Sequence, residues 1–280
     1  LQGTFNEESF NREYRSIWSG DVQNAFFSSE RFDKYRVLLQ PENESSGRTA
    51  KDGYYIFGID VGRIGCSTEV CVFKVTPQVQ GPAIKTLVNL YTYEAEHFET
   101  QSINIKRLYY KYLPRRIAVD ANGLGVGLVD YLIKKQETDE GELLPPFGVY
   151  NLNDYPEYKQ YVTSDTVRDV LYLIKANAPI NTEAYTYAQT QMSSGKIRFL
   201  IDESLAKTKL MSTKVGQNMN IDERNEYLRP FTHSGNSRFL LLTDFFLINI
   251  AKATTRAAKT ATPKTIAPKF SLKNFCERSP

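Results

Sequence analysis

Two short apolar runs that each stop at an aspartate constrain this chain more than any other feature. The first is Tyr54 to Val61, YYIFGIDV, with Asp60 near its end. The second is Arg116 to Gly125, RIAVDANGLG, with Asp120 after its apolar core. Glycine-rich backbone follows each at once: Gly62 and Gly65 after the first, Gly123, Gly125 and Gly127 after the second. Apolar runs of this length, bounded by turn residues, predict buried strands. A carboxylate at the C-terminal tip of such a strand enters the crevice where open α/β sheets keep their sites. Two such tips side by side put two carboxylates within reach of one divalent ion.

The chain between and after them decides whether the tips meet. Residues 1–50 are polar and broken, with a short helix expected over Phe10–Trp18, a strand over Asp33–Leu39 and a loop over Pro41–Asp52. Strands are expected over Tyr54–Val61, Thr68–Val75 and Ile84–Tyr93, joined by turns at Gly62–Ser67 and Gly81-Pro82. Short turns make those three antiparallel neighbours. Phe98–Tyr112 predicts a helix ended by Pro114, and Ile117–Asp120 predicts a fourth strand parallel to an earlier one. Helices are expected over Leu124–Lys135, Thr166–Asn177, Thr182–Ser193 (with Thr182 as cap) and Asp202–Met211. Strands are expected over Phe147–Leu152 and Lys196–Ile201, and irregular chain over 214–237. The expected fold class is α/β, a ribonuclease H-like mixed sheet. Three antiparallel strands come first, then parallel strands with crossover helices, flanked by helices. In that order the first and fourth strands are neighbours and their tips are Asp60 and Asp120.

The donor set narrows the chemistry. The chain has only two histidines, His97 and His233, and three cysteines, Cys66, Cys71 and Cys276, with no CxxC. That disfavours zinc sites, disulfide frameworks and most Ser-His-Asp schemes, and fits a reducing compartment. Paired carboxylates suit a hard cation, Mg²⁺ or Mn²⁺. Two such ions about 4 Å apart stabilise both the attacking and leaving oxygens of a phosphodiester. Taken singly, either aspartate also fits a turn or helix-capping role. Neither a GxxxxGK[ST] loop nor a strand-linked GxGxxG is present, so no nucleotide motor is encoded here. No apolar run approaches the ~18 residues of a membrane-spanning helix. Seven Lys/Arg against one acid over Ala251–Pro280 make a basic tail suited to phosphate. No signal peptide opens the chain, and the start at Leu1 suggests a fragment or processed piece.

Four segments resemble the nuclease end of tailed-bacteriophage large terminase subunits. SFNREYRSIWSGDVQNAFFS (Ser9–Ser28) resembles the segment that closes their ATPase half. FGIDVGRIGCSTEVCVF (Phe57–Phe73) resembles their first nuclease strand and hairpin. RIAVDANGLGVGLVDYL (Arg116–Leu132) resembles their second-aspartate motif and is the most specific match, and KIRFL (Lys196–Leu200) fits a further segment. The resemblance covers residues 5–230. It implies a linker or tail of a preceding ATPase-type domain over 1–50, then a ribonuclease H-like nuclease domain with a basic C-terminal tail over 51–280. It implies metal-dependent cleavage of double-stranded concatemeric DNA during packaging, in the host cytoplasm at the procapsid, with the portal protein and the small terminase subunit as partners.

By this resemblance Asp60 and Asp120 match the first two catalytic, metal-binding acids. Asp244, in LLLTDFFLINIAKA, matches the third by position. A second alignment sets KTIAPKFS (Lys264–Ser271) on a late family segment, where Pro268 stands in place of the acid and binds no metal. Asp202 and Glu203 are further candidates. Two other readings stand beside the nuclease. One is a non-catalytic DNA-binding or portal-docking module of the same fold. The other is an actin- or sugar-kinase-like ATP-binding domain, which shares the strand meander and an Asp-x-Gly turn but needs a second phosphate turn that the chain lacks.

Overall fold

The computed structural model describes residues 33–46, 53–62, 66–163 and 165–233. Arg36–Leu38 (β1) precedes an antiparallel meander of Tyr54–Asp60 (β2), Ser67–Thr76 (β3) and Ile84–Glu94 (β4). Phe98–Tyr112 (α1) crosses over to Arg116–Asp120 (β5), which Leu124–Leu132 (α2) follows. A small hairpin, Gln136–Glu137 (β6) with Leu143–Leu144 (β7), leads to Phe147–Val149 (β8). Then come Val167–Ile174 (β9), Ala178–Ser193 (α3) and Ile197–Leu200 (β10). Glu203–Met211 (α4), Lys214–Asn218 (α5) and Ile221–His233 (α6) complete the described chain.

Eight strands form one sheet in the order β1-β10-β4-β3-β2-β5-β9-β8. Strands β5 and β9 run parallel to β2, beyond the antiparallel meander. This is the ribonuclease H-like arrangement, extended at one edge by β10 and β1. The central strands are buried on both faces. Phe57, Ile59, Ile117 and Val119 pack with Ile105 and Leu108 of α1 and Leu128 and Val129 of α2. On the other face Ile56, Ala118, Cys71 and Phe73 pack with Ala184 and Met192 of α3. Among the described residues no helix is long and apolar enough to cross a membrane.

The meander, α1 and β5 stand within a residue or two of where the sequence puts them, and β1 lies inside the span read as Asp33–Leu39. Three expectations differ. Residues read as a helix over Thr166–Asn177 form β9 instead. VRDVLYLI supplies apolar side chains to both faces, with Val170, Leu171, Leu173 and Ile174 all buried, and such a run shows no alternation to mark it as a strand. Strand β9 takes the fifth place in the fold, and the strand read over Phe147–Leu152 is the short edge strand β8. Helix α3 starts a turn before Thr182: Asn177 caps it, its side chain accepting from the Ile180 N–H at 2.9 Å, and Pro179 sits in the first turn. The chain read as irregular from 214 carries α5 and α6. Thr213 caps α5, and Asn220 and Glu223 form a reciprocal capping box at α6, 2.9 Å in each direction. The helix expected over Phe10–Trp18 and the LLLTDFFLINIAKA segment that carries Asp244 lie outside the described residues.

Lys106 of α1 is fully buried, with its ammonium donating to the Lys134 carbonyl and facing the Phe147 ring at 5.8 Å. Burial lowers its pKa from 10.5 to about 8. Lys85, beneath α3, donates to Gln191 Oε1 at 2.7 Å and is lowered to about 8 by burial and by Lys196. Between those values and the ~10.4 of an unfolded lysine, the unfolded chain holds protons that the folded chain lacks. Stability therefore rises with pH across that window. Urea melts at pH 7.5 and 9.5 should show the rise in the wild type, a smaller rise in Lys106→Met, and little rise in the Lys85→Met/Lys106→Met double variant.

Candidate metal centre

Strands β2 and β5 pair in parallel with Ile59 opposite Val119. The next residues on each strand are Asp60 and Asp120, one interstrand step of ~4.8 Å apart at the backbone. Both side chains lie on the α3 face, because Ile56 and Ala118 do and side chains repeat with period two. The two sequence-predicted aspartates are therefore brought together at adjacent strand tips. Asp244 lies outside the described residues.

Backbone contacts fix the Asp120 tip. Ala121 N–H donates to Ile174 O on β9 at 2.8 Å, and Asn122 N–H donates to Asp120 Oδ1 at 3.0 Å. Asn122 Nδ2 reaches Ala176 O at 3.2 Å, tying the tip to the end of β9. A Cβ on Gly125 would stand 1.7 Å from the Asp120 carbonyl oxygen, so α2 starts directly over the strand end only because that residue is glycine. Gly62, after Asp60, is confined in the same way, with a Cβ position 2.2 Å from Ser67 O. The close approaches at these two glycines are thus to the chain's own backbone.

Burial raises the Asp120 carboxyl above its ordinary range, opposed by the Asn122 N–H. A third carboxylate shares the face. Glu69 on β3 is the cross-strand partner of Asp60, and it accepts from Thr92 Oγ1 at 2.7 Å and Ser67 Oγ at 2.9 Å. The Cys71 thiol next to this group is pushed well up by burial first, then by the charges of Glu69 and Asp60. Sequence reading missed Glu69. Its signal was the register of the β2–β3 hairpin, which a one-residue change in turn length would invert.

The other sequence candidates sit elsewhere. Asp202 is the cap of α4, accepting from Leu205 N–H at 3.0 Å and Ser204 Oγ at 2.5 Å, and these bonds lower its pKa. It follows β10, three strands from β2, or ~14 Å across the sheet. His97 occupies the cap position of α1 without a side-chain capping bond. Arg115 and Arg116 lie at the opposite end of β5 from Asp120, stacked on the Tyr54 and Tyr150 rings at 4.5 and 3.6 Å.

Among the described residues, no three His, Cys, Asp or Glu side chains are grouped to hold a metal ion by themselves. The pair at the adjacent strand tips is all oxygen, which fits a hard divalent cation completing its shell with water, substrate oxygens or a further acid.

No protein-family model matches the chain, and no curated protein matches it. Its neighbours among solved structures are large terminase nucleases from several phages, the family that the sequence motifs resemble. The large terminase nuclease of thermophilic phage G20c with bound magnesium is 12% identical, with 67% of this chain and 79% of that chain covered and a TM-score of 0.40. The Thermus phage P74-26 nuclease domain is 13% identical, covering 65% and 74%, with a TM-score of 0.37. The P22 large terminase nuclease domain is 10% identical, covering 74% and 95%, with a TM-score of 0.32. Further G20c structures contain zinc and cobalt. The fold assignment above rests on the strand order of this chain alone.

Burial penalises the charged form of Asp120. Asp120→Asn should therefore raise the melting temperature of the metal-free protein at pH 7, by differential scanning calorimetry in EDTA. A lower melting temperature would mean that the carboxylate stabilises the fold.

Proposed function

We propose that this chain is the nuclease domain of a phage DNA-packaging terminase, a divalent-metal-dependent endonuclease acting on double-stranded DNA. One observation carries the reading: the parallel β2–β5 register sets Asp60 beside Asp120 on one face at neighbouring strand tips. Two of the four segments that resemble the terminase family, Phe57–Phe73 and Arg116–Leu132, contain these tips. Asp60 and Asp120 would hold Mg²⁺ or Mn²⁺, with Asp244 as the third acid. A bound cation supplies charge to a phosphate oxygen and lowers the pKa of a water for attack on phosphorus.

The protein's own part is geometric. Rigid strand ends fix the two carboxylates, Asn122 holds Asp120 Oδ1, and burial strengthens their attraction for a cation. Contact with DNA on this reading is to phosphates, sequence-independent and strongly salt-dependent. Portal protein and small terminase subunit are the proposed protein partners, met at the procapsid in the host cytoplasm.

Plasmid cleavage tests this. The purified chain should nick and linearise supercoiled DNA with Mn²⁺ or Mg²⁺ and not with EDTA. Asp60→Ala and Asp120→Ala should each reduce cleavage to background while far-UV circular dichroism is kept, and Asp244→Ala should do the same if it is the third ligand. A folded chain that binds DNA without cutting it would favour the docking-module reading. Cleavage that survives both strand-tip substitutions would put the site elsewhere.

A further inference from the structure

Two buried polar side chains clamp the turn that leaves Asp60, and neither belongs to the acidic pair. Thr68 on β3 and Gln101 on α1 are both completely buried. Thr68 Oγ1 accepts from the Gly62 N–H at 2.9 Å. Its own proton has two acceptors in reach, Gly62 O at 2.9 Å and Gln101 Oε1 at 2.8 Å. Gln101 Nε2 in turn donates to Glu96 O at 2.9 Å and reaches Gly62 O at 3.3 Å. Both backbone groups of Gly62 are thus held, two residues past Asp60, from the face opposite the Asp60 carboxylate.

Packing alone does not require this arrangement. Thr68 and Gln101 are fully buried on the sheet face whose core is apolar, Phe57, Ile59, Phe98 and Ile105 among it. Polar groups so placed are costly unless satisfied, and these are satisfied mainly by one glycine and each other. What they determine is the direction in which the chain leaves β2. A side chain is excluded at Gly62 itself, because a Cβ there would stand 2.2 Å from Ser67 O.

We infer that Thr68 and Gln101 are positioning residues for Asp60. They fix the Asp60–Gly62 backbone from α1 so that the carboxylate stands ready beside Asp120 before any cation arrives. This rests on the metal-centre reading above and adds to it a support that reaches from the first turn of α1 to the strand tip. Groups that orient metal ligands from outside the ligand set typically change affinity by about 10–100-fold when removed.

Isothermal titration of Mn²⁺ into the metal-free chain, beside its calorimetric melting temperature, tests the inference. Thr68→Val and Gln101→Met remove the hydrogen bonds at nearly constant volume, and each should weaken Mn²⁺ binding about 10–100-fold. Thr68→Ser keeps the hydroxyl and should retain wild-type affinity. Leu228→Ala, in the separate core under α6, supplies a comparable loss of stability and should leave affinity unchanged. If Thr68→Val and Gln101→Met melt lower but bind Mn²⁺ as the wild type does, the pair is merely structural and the inference fails alone. It fails equally if Leu228→Ala weakens binding as much. If the wild type binds no Mn²⁺, or Asp60→Asn binds as well as the wild type, the metal centre itself is refuted and the inference falls with it.

Discussion

The parallel pairing of β2 with β5 is the interaction on which the rest of the structure depends. It sits at the centre of the sheet, with the antiparallel meander on one side and β9 on the other. A parallel neighbour needs a crossover, and α1 supplies it. That crossover covers one face, so the opposite face is left for α3. The register of the pair, Ile56 with Arg116 through Ile59 with Val119, then sets which side chains meet at the end. A slip of one residue would send one aspartate into the core under α1 and α2 and leave the other alone above α3. Apolar burial on both faces makes such a slip expensive, because every side chain of β5 would change environment. The site's geometry is therefore secured by the core and not by the carboxylates.

The carboxylates work against the core. Asp60, Glu69 and Asp120 lie on one face of the sheet, and burial raises the Asp120 carboxyl. Such a group persists when local donors and the surrounding structure hold it. Asn122 N–H serves Asp120, and Thr92 and Ser67 serve Glu69.

How much of this was legible in the sequence depends on how local the signal was. The two tips were legible because Ile59-Asp60 and Val119-Asp120 each mark a sharp change from core to crevice. Helix α1 was legible because its apolar spacing is bounded by Pro114. Strand β9 was not, because a strand buried on both faces and a buried helix share the same unbroken apolar run, and only its place between β5 and β8 decides. Helix α6 was missed because Leu228 and Phe231 are nearly its only buried apolar anchors, under a polar surface. Its capping box, Asn220 and Glu223, was present in the sequence and outweighed by composition.

Glu69, Thr68 and Gln101 show a different limit. Nothing about a Ser-Thr-Glu run distinguishes a hairpin strand from a site. Their roles follow from alternation: Glu69 faces α3 and the acidic pair, while Thr68, one residue earlier, points to the opposite face and Gly62. Both depend on the turn between β2 and β3, which sets the pairing of Asp60 with Glu69. Gln101 enters only through the α1 crossover, thirty-three residues from Thr68 in sequence and 2.8 Å from it in space. A site at strand tips is thus specified twice. The carboxylates at the tips are visible as motifs. Residues behind them carry the direction of the backbone and become visible only when the register is known.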